Sequence, residues 1–123
     1  MKLKLFLKGS LGKLETRRVR KVVKGVLIEN GLDGRVEVSV TLVGEAKMRQ
    51  LNKQHRGKDE VTDVLSFPLE KDLGPDKVTR LGDVVVCWQV AEKQAKDKKV
   101  GVEMEVDFLI SHGMLHLLGV HHD

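Results

Sequence analysis

The run over residues 106–118, within a helix expected over 102–118, is apolar on nearly every side, with Val106, Phe108, Leu109, Ile110, Met114, Leu115, Leu117 and Leu118 spread around it. A helix of that kind belongs in a core, so the rest of the chain must supply layers that enclose it. Those layers are visible upstream. Arg35–Val43 alternates cleanly, with Val36, Val38, Val40 and Leu42 on one side and Glu37, Ser39 and Thr41 on the other. That is the mark of a half-buried strand. Residues 2–7 alternate in the same way. Residues 61–67 read as a third strand closed by Pro68, and 81–88 as a fourth with a continuous Val84-Val85-Val86 run. Helical patterns cover 14–29, 45–54 (Ala46, Met48 and Leu51 inward) and 91–99. Residues 55–60 and 70–80 are polar, hold Gly57 and Gly74-Pro75, and read as loops. The order β-α-β-α-β-β-α-α predicts an α/β (α+β) fold: a four-stranded mixed sheet packed with helices, strands three and four forming an antiparallel edge. At 123 residues the chain is expected to form one domain over 1–123.

Charge narrows the function classes. The chain has 22 basic and 18 acidic residues, with 41% of residues hydrophobic, which excludes a disordered tail. No uncharged run reaches the ~18 residues of a membrane span, and lysines interrupt the start where a signal-peptide core would lie. No membrane partner is expected. The single cysteine, Cys87, excludes a disulfide-stapled scaffold and makes a reducing cytoplasm the expected location. Four aromatics (Phe6, Phe67, Trp88 and Phe108) are too few for a multi-platform base-stacking surface. The first 25 residues hold nine bases and only Glu15 as an acid. Arg17, Arg20, Lys21 and Lys24 fall on one helix face, opposite Val19, Val22, Val23 and Val26. This stripe is either a solvated face or a phosphate-tracking one, and the pattern itself does not choose.

The chemistry concentrates at the far end. Of five histidines, four lie in the last twelve residues: His112, His116, His121 and His122. His112 and His116 are four apart, so both imidazoles rise on one face of the apolar helix. Inside a core, such a pair needs partners, and a metal ion would satisfy both at once. Gly119 can take the left-handed cap that turns the chain back, bringing His122 round as a third ligand. Three nitrogens on one side of an ion suit Zn²⁺ and leave a position open. His121 is the alternative third ligand, with Asp123 as a supporting or replacement group. Zinc-protease helices read His-Glu-x-x-His, the Glu acting as general base. Here Gly113 occupies that place, so peptide hydrolysis lacks its proton acceptor. Phosphodiester cleavage stays open, because zinc polarises a phosphoryl oxygen and activates water. The expanding negative charge needs a cation, and Arg56 is the candidate, with surface decoration as its alternative.

Three segments resemble the YbeY family of rRNA-maturation endoribonucleases. His112-Gly-Met-Leu-His116-Leu-Leu-Gly119 with His122 is similar to that family's His-Gly-x-Leu-His-Leu-x-Gly-x-x-His signature. Leu51-Asn-Lys-Gln-His55-Arg56-Gly-Lys-Asp59 and Thr62-Asp-Val-Leu-Ser-Phe-Pro68 resemble its central motif, and Leu81-Gly-Asp-Val84 the strand that follows. The resemblance implies one Zn²⁺ held by His112, His116 and His122 on a metal-binding C-terminal helix. It implies Arg56 as the functional arginine, with His116 and Arg56 central to catalysis. The implied activity is single-strand-specific, metal-dependent cleavage of RNA, in 16S rRNA 3′-end maturation and ribosome quality control. Single-stranded rRNA and the ribosome are then the expected partners; oligomeric state is not readable. Ser66, Asp63 and Asp83 lie in family motifs, and the two aspartates are expected to fix loops by hydrogen bonds. The family usually has Tyr-Asp before its third histidine where this chain has Val120-His121, and members usually continue past it. A third ligand one residue from the final Asp123 is expected to hold zinc less firmly than in a longer relative. The competing readings are a non-catalytic RNA- or ribosome-binding module with structural zinc, and a metalloprotease.

Overall fold

The computed structural model describes residues 1–9, 15–69 and 74–120. Its elements run β1 (Lys2–Lys8), α1 (Thr16–Glu29), β2 (Arg35–Val43), α2 (Glu45–Arg56), β3 (Val64–Pro68), β4 (Val78–Cys87), α3 (Trp88–Lys98) and α4 (Val102–Leu117). The strands form one mixed sheet in the order β1-β2-β4-β3. The pairs β1–β2 and β2–β4 are parallel, and β3 runs antiparallel to β4 along one edge, as the strand order predicts.

Register follows from the period-two pattern. Leu3, Leu5 and Leu7 stand beside Val36, Val38 and Val40, and Val40 and Leu42 beside Val84 and Val86. Slipping any of these by one residue would turn the apolar set to the opposite face. The apolar face is covered by Val19, Val23 and Leu27 of α1 and by Val106, Leu109, Ile110, Met114 and Leu117 of α4. Each such buried aliphatic side chain contributes roughly 1.5–3 kcal/mol. The other face is covered only in part. There Met48 of α2 joins Leu65, Val85 and Cys87 in a second, smaller cluster. Burial pushes the Cys87 thiol above its usual range, so it stays protonated and inert.

Several expectations change. The inward side of α2 is Met48 and Leu51, as expected, joined by Asn52, while Ala46 is exposed. Asn52 is turned in because its amide donates to the Glu60 carbonyl at 3.0 Å and so anchors the following loop. β3 begins at Val64 and not at 61, because the carboxylate of Asp63 accepts the Val64 N–H at 2.8 Å. Trp88 opens α3 and does not close β4. The largest change concerns α4. It is enclosed on one broad face only; Phe108 is 54% exposed, and His112 and His116 are exposed. Among the described residues no helix is long and apolar enough to cross a membrane.

Candidate functional site

A glycine sets where α4 meets the sheet. Gly113 is buried, and a β-carbon there would lie 2.5 Å from Val84 Cγ1 and 3.2 Å from both Ser66 Oγ and Val64 Cγ2. With no side chain at 113 the helix lies flush on β3 and β4. The Ser66 hydroxyl then donates to the Gly113 carbonyl at 2.9 Å, so Ser66 ties the edge strand to the helix. His112 and His116 flank this contact and look into the space beyond β3. Their Nε2 atoms are 3.0 Å apart, with ring centroids 4.7 Å apart and planes inclined by 41°. The rings of Phe108 and His112 stand nearly perpendicular, their centroids 6.3 Å apart.

The opposite wall is the last turn of α2. The helix runs two residues beyond its expected end, which lifts His55 and Arg56 out of the predicted loop and into helix. Gly57 stops it in the left-handed region at φ 68°, its N–H bonded to the Lys53 carbonyl. The segment after it is held at both ends. Arg49 grips Asp59 at 2.7 Å and holds that carboxyl below the usual range. Asp63 accepts from Gln94 Nε2 at 3.3 Å, while its carbonyl takes the Cys87 N–H at 2.9 Å. Asp63 therefore fixes a loop, as expected.

Between these walls lies a cleft of about 620 Å³ lined by His55, Arg56, residues 62–68, His112, Gly113 and His116. Three sequence-predicted site residues, Arg56, His112 and His116, thus share one cleft. His121, His122 and Asp123, the candidate third ligands, lie outside the described residues. Burial does not explain the histidine pair, because both rings are exposed; their convergence does. Zinc at ~2.0–2.1 Å from each of two nitrogens in near-tetrahedral geometry needs donors spaced much as these are. Two neutral imidazoles 3.0 Å apart can also share one proton, so the pair is compatible with a metal without demanding it. His55 is the lining residue that sequence reasoning passed over; its ring packs 4.6 Å from Phe67, centroid to centroid. Its signal was adjacency to Arg56, hidden once the pair was read as loop.

The Endoribonuclease YbeY family profile matches residues 10–123. This chain belongs to the YbeY family. The Endoribonuclease YbeY of Aquifex aeolicus is 43% identical over 118 residues, covering 92% of this chain and 77% of that protein. That of Finegoldia magna is 38% identical over 107 residues, covering 87% and 69%. The solution structure of TM1509 from Thermotoga maritima superposes with a TM-score of 0.61 at 33% identity, over 98% of this chain and 75% of that one.

The YbeY-motif residue Asp83 lies outside the cleft lining. It is half-buried on β4, where both carboxylate oxygens accept from Thr41 Oγ1 at 3.1 Å. Burial raises its pKa, with the Thr41 bond opposing. A carboxyl whose folded pKa is raised costs stability when ionised, and the cost fades as pH falls through that raised pKa. Asp83→Asn keeps an acceptor for Thr41 and is expected to raise the thermal midpoint at pH 7. The gain should vanish near pH 3, where both forms are neutral; a calorimetric pH series checks this, and a lower midpoint at pH 7 would contradict it.

Proposed function

We propose that the chain is a metal-dependent endoribonuclease that cuts single-stranded RNA, with zinc held by His112, His116 and His122. The observation that carries this reading is that Arg56 of α2 and the paired imidazoles of α4 line one cleft across the edge strand. When bound there, a zinc ion supplies Lewis acidity and positive charge beside the scissile phosphate. The chain supplies the rest. Arg56 offers a planar fork of N–H donors matched to two phosphate oxygens, and it stabilises the charge that grows as water or the 2′-hydroxyl attacks phosphorus. The loop clamped by Arg49–Asp59 and Asp63 keeps that fork from drifting. Selectivity for single strands follows from a site that takes backbone and few bases. The open cleft and exposed rings favour a working site over a closed structural zinc, which would surround its ion. A role in 16S rRNA 3′-end maturation and ribosome quality control, in the cytoplasm, fits this activity and the family.

The test is cleavage of a single-stranded RNA by metal-loaded protein, wild type against Arg56→Ala. Removing one preorganised charge donor is expected to lower the cleavage rate by about 10²-fold or more, with zinc content unchanged. Undiminished cleavage by the variant would remove Arg56 from the reaction; intact RNA with wild-type protein would sink the reading itself.

A further inference from the structure

The sheet order puts β1 at the edge opposite β3, three strand spacings from the cleft wall, about 14 Å at ~4.8 Å each. A cluster of basic side chains gathers at that edge. Lys2, Lys4 and Lys8 alternate along β1 and stand on the sheet face that α2 leaves open. On the other side Arg20 of α1 reaches the free edge, its Nη1 donating to the Leu3 carbonyl at 2.9 Å. Arg17 and Lys24, exposed and one helical turn to either side of Arg20 on α1, lie next to that contact, while Lys21 lines the groove between α1 and α4. Four bases do meet a carboxylate: Arg18, on α1 itself, and Arg49, Arg80 and Lys98 farther off, each at 2.6–2.9 Å. Among the described residues none of the β1 lysines, nor Arg17, Lys21 or Lys24, has an ion pair. Lys2 even stands in register beside Arg35, with no counterion between strands, an arrangement that costs stability on an otherwise ordinary sheet. Phe6, 42% exposed, sits among them with Lys4 Nζ 5.3 Å from its ring centroid.

We infer that the basic edge built from β1 and α1 is a second RNA-binding surface, which grips substrate backbone remote from the scissile phosphate. Unpaired lysines and arginines on both sides of one edge match a polyanion, whose bound counterions are released as the bases replace them. Phe6 adds one stacking face for an unpaired base. The cleft at β3 then cuts a strand already held at β1, so long RNA is favoured over short. The ligand assignment rests on the RNA-cleaving reading; the location of the surface does not.

The test uses Lys4→Gln, Arg17→Gln and Lys24→Gln together, all exposed positions outside the cleft, with folding verified by thermal melting. Binding is measured by anisotropy with an uncleavable 2′-O-methyl RNA of about thirty nucleotides, and cleavage with a trinucleotide too short to leave the cleft. Affinity for the long RNA is expected to fall about tenfold or more at low salt, and the log–log salt slope to lose about two units, near 0.7 for each phosphate contact. Trinucleotide cleavage should hold within about twofold. Unchanged affinity and slope would overturn the inference, as would equal losses on both substrates, which would move these bases into the cleft. Loss of poly-glutamate binding with RNA affinity intact would also overturn it and assign the edge to an acidic protein. If wild-type protein cuts no RNA, the binding arm still decides this surface while the catalytic reading fails alone.

Discussion

Replacing His116 by alanine is expected to abolish RNA cleavage and to strip the protein of zinc while leaving its fold intact. The fold should survive because the His116 side chain is exposed; substitutions at exposed positions usually fall within about ±0.5 kcal/mol. The helix cap survives as well. The Gly119 and Val120 N–H groups bond to the carbonyls of His116 and Leu115, which are main-chain atoms that alanine keeps. What disappears is one of two nitrogens held 3.0 Å apart. Loss of a group that merely orients a metal ligand costs about 10–100-fold in affinity, so loss of a ligand should exceed about 100-fold. Elemental analysis of matched preparations gives zinc per chain, and a fluorogenic RNA gives the rate. His112→Ala should reproduce both effects, because the proposed site draws on both rings. Zinc retained at wild-type level in both variants would show that the ion, if any, sits elsewhere.

Why some of this was legible in advance is a matter of range. The alternation of Val36, Val38, Val40 and Leu42 is a local record of a face, and the structure buries all four. The i, i+4 spacing of His112 and His116 likewise fixes their proximity whatever surrounds the helix. Their burial was a different matter. Counting apolar residues along 106–118 suggested a helix wrapped by core, yet the buried stripe is Glu105, Val106, Leu109, Ile110, Gly113, Met114 and Leu117. Phe108, His112 and His116 form the i, i+4, i+8 row that this stripe leaves outside. Gly113 was the informative residue, because a glycine on the buried stripe marks close approach of a neighbouring element. Arg56 failed locally for the opposite reason. Polar residues before Gly57 suggested loop, though a glycine just past a helix is the usual left-handed cap. That Arg56 meets the histidines depends on β3 lying at the edge beside α4, and strand order is set by long-range packing that no short window contains.

Gly113 also yields the sharpest stability prediction. Gly113→Ala would normally favour a helix by up to about 1 kcal/mol. Here it should destabilise. The added carbon would stand 2.5 Å from Val84 Cγ1, closer than packed carbons tolerate, and Val84 is fully buried and β-branched, with little rotamer freedom to retreat. Val64 Cγ2 and Ser66 Oγ, at 3.2 Å, block the flanks. Relief therefore comes from lifting α4 off the sheet, and overpacking of this kind costs about 1–3 kcal/mol, sometimes more. A net loss of about 2 kcal/mol corresponds to roughly 8 °C in thermal midpoint for a chain of this length. Cleavage should fall too, although no functional side chain is removed, because lifting α4 carries the histidine pair away from Arg56 and breaks the Ser66 bond to the Gly113 carbonyl. Val84→Ala makes room for the new methyl, so the double variant should recover part of both losses relative to Gly113→Ala; a midpoint at or above wild type in Gly113→Ala alone would refute the tight contact. The same crowding explains the missing protease carboxylate. A glutamate at 113 would bring its β-carbon into the same contact with Val84, Val64 and Ser66, so the close packing that positions these histidines disfavours a general base in the middle of their motif.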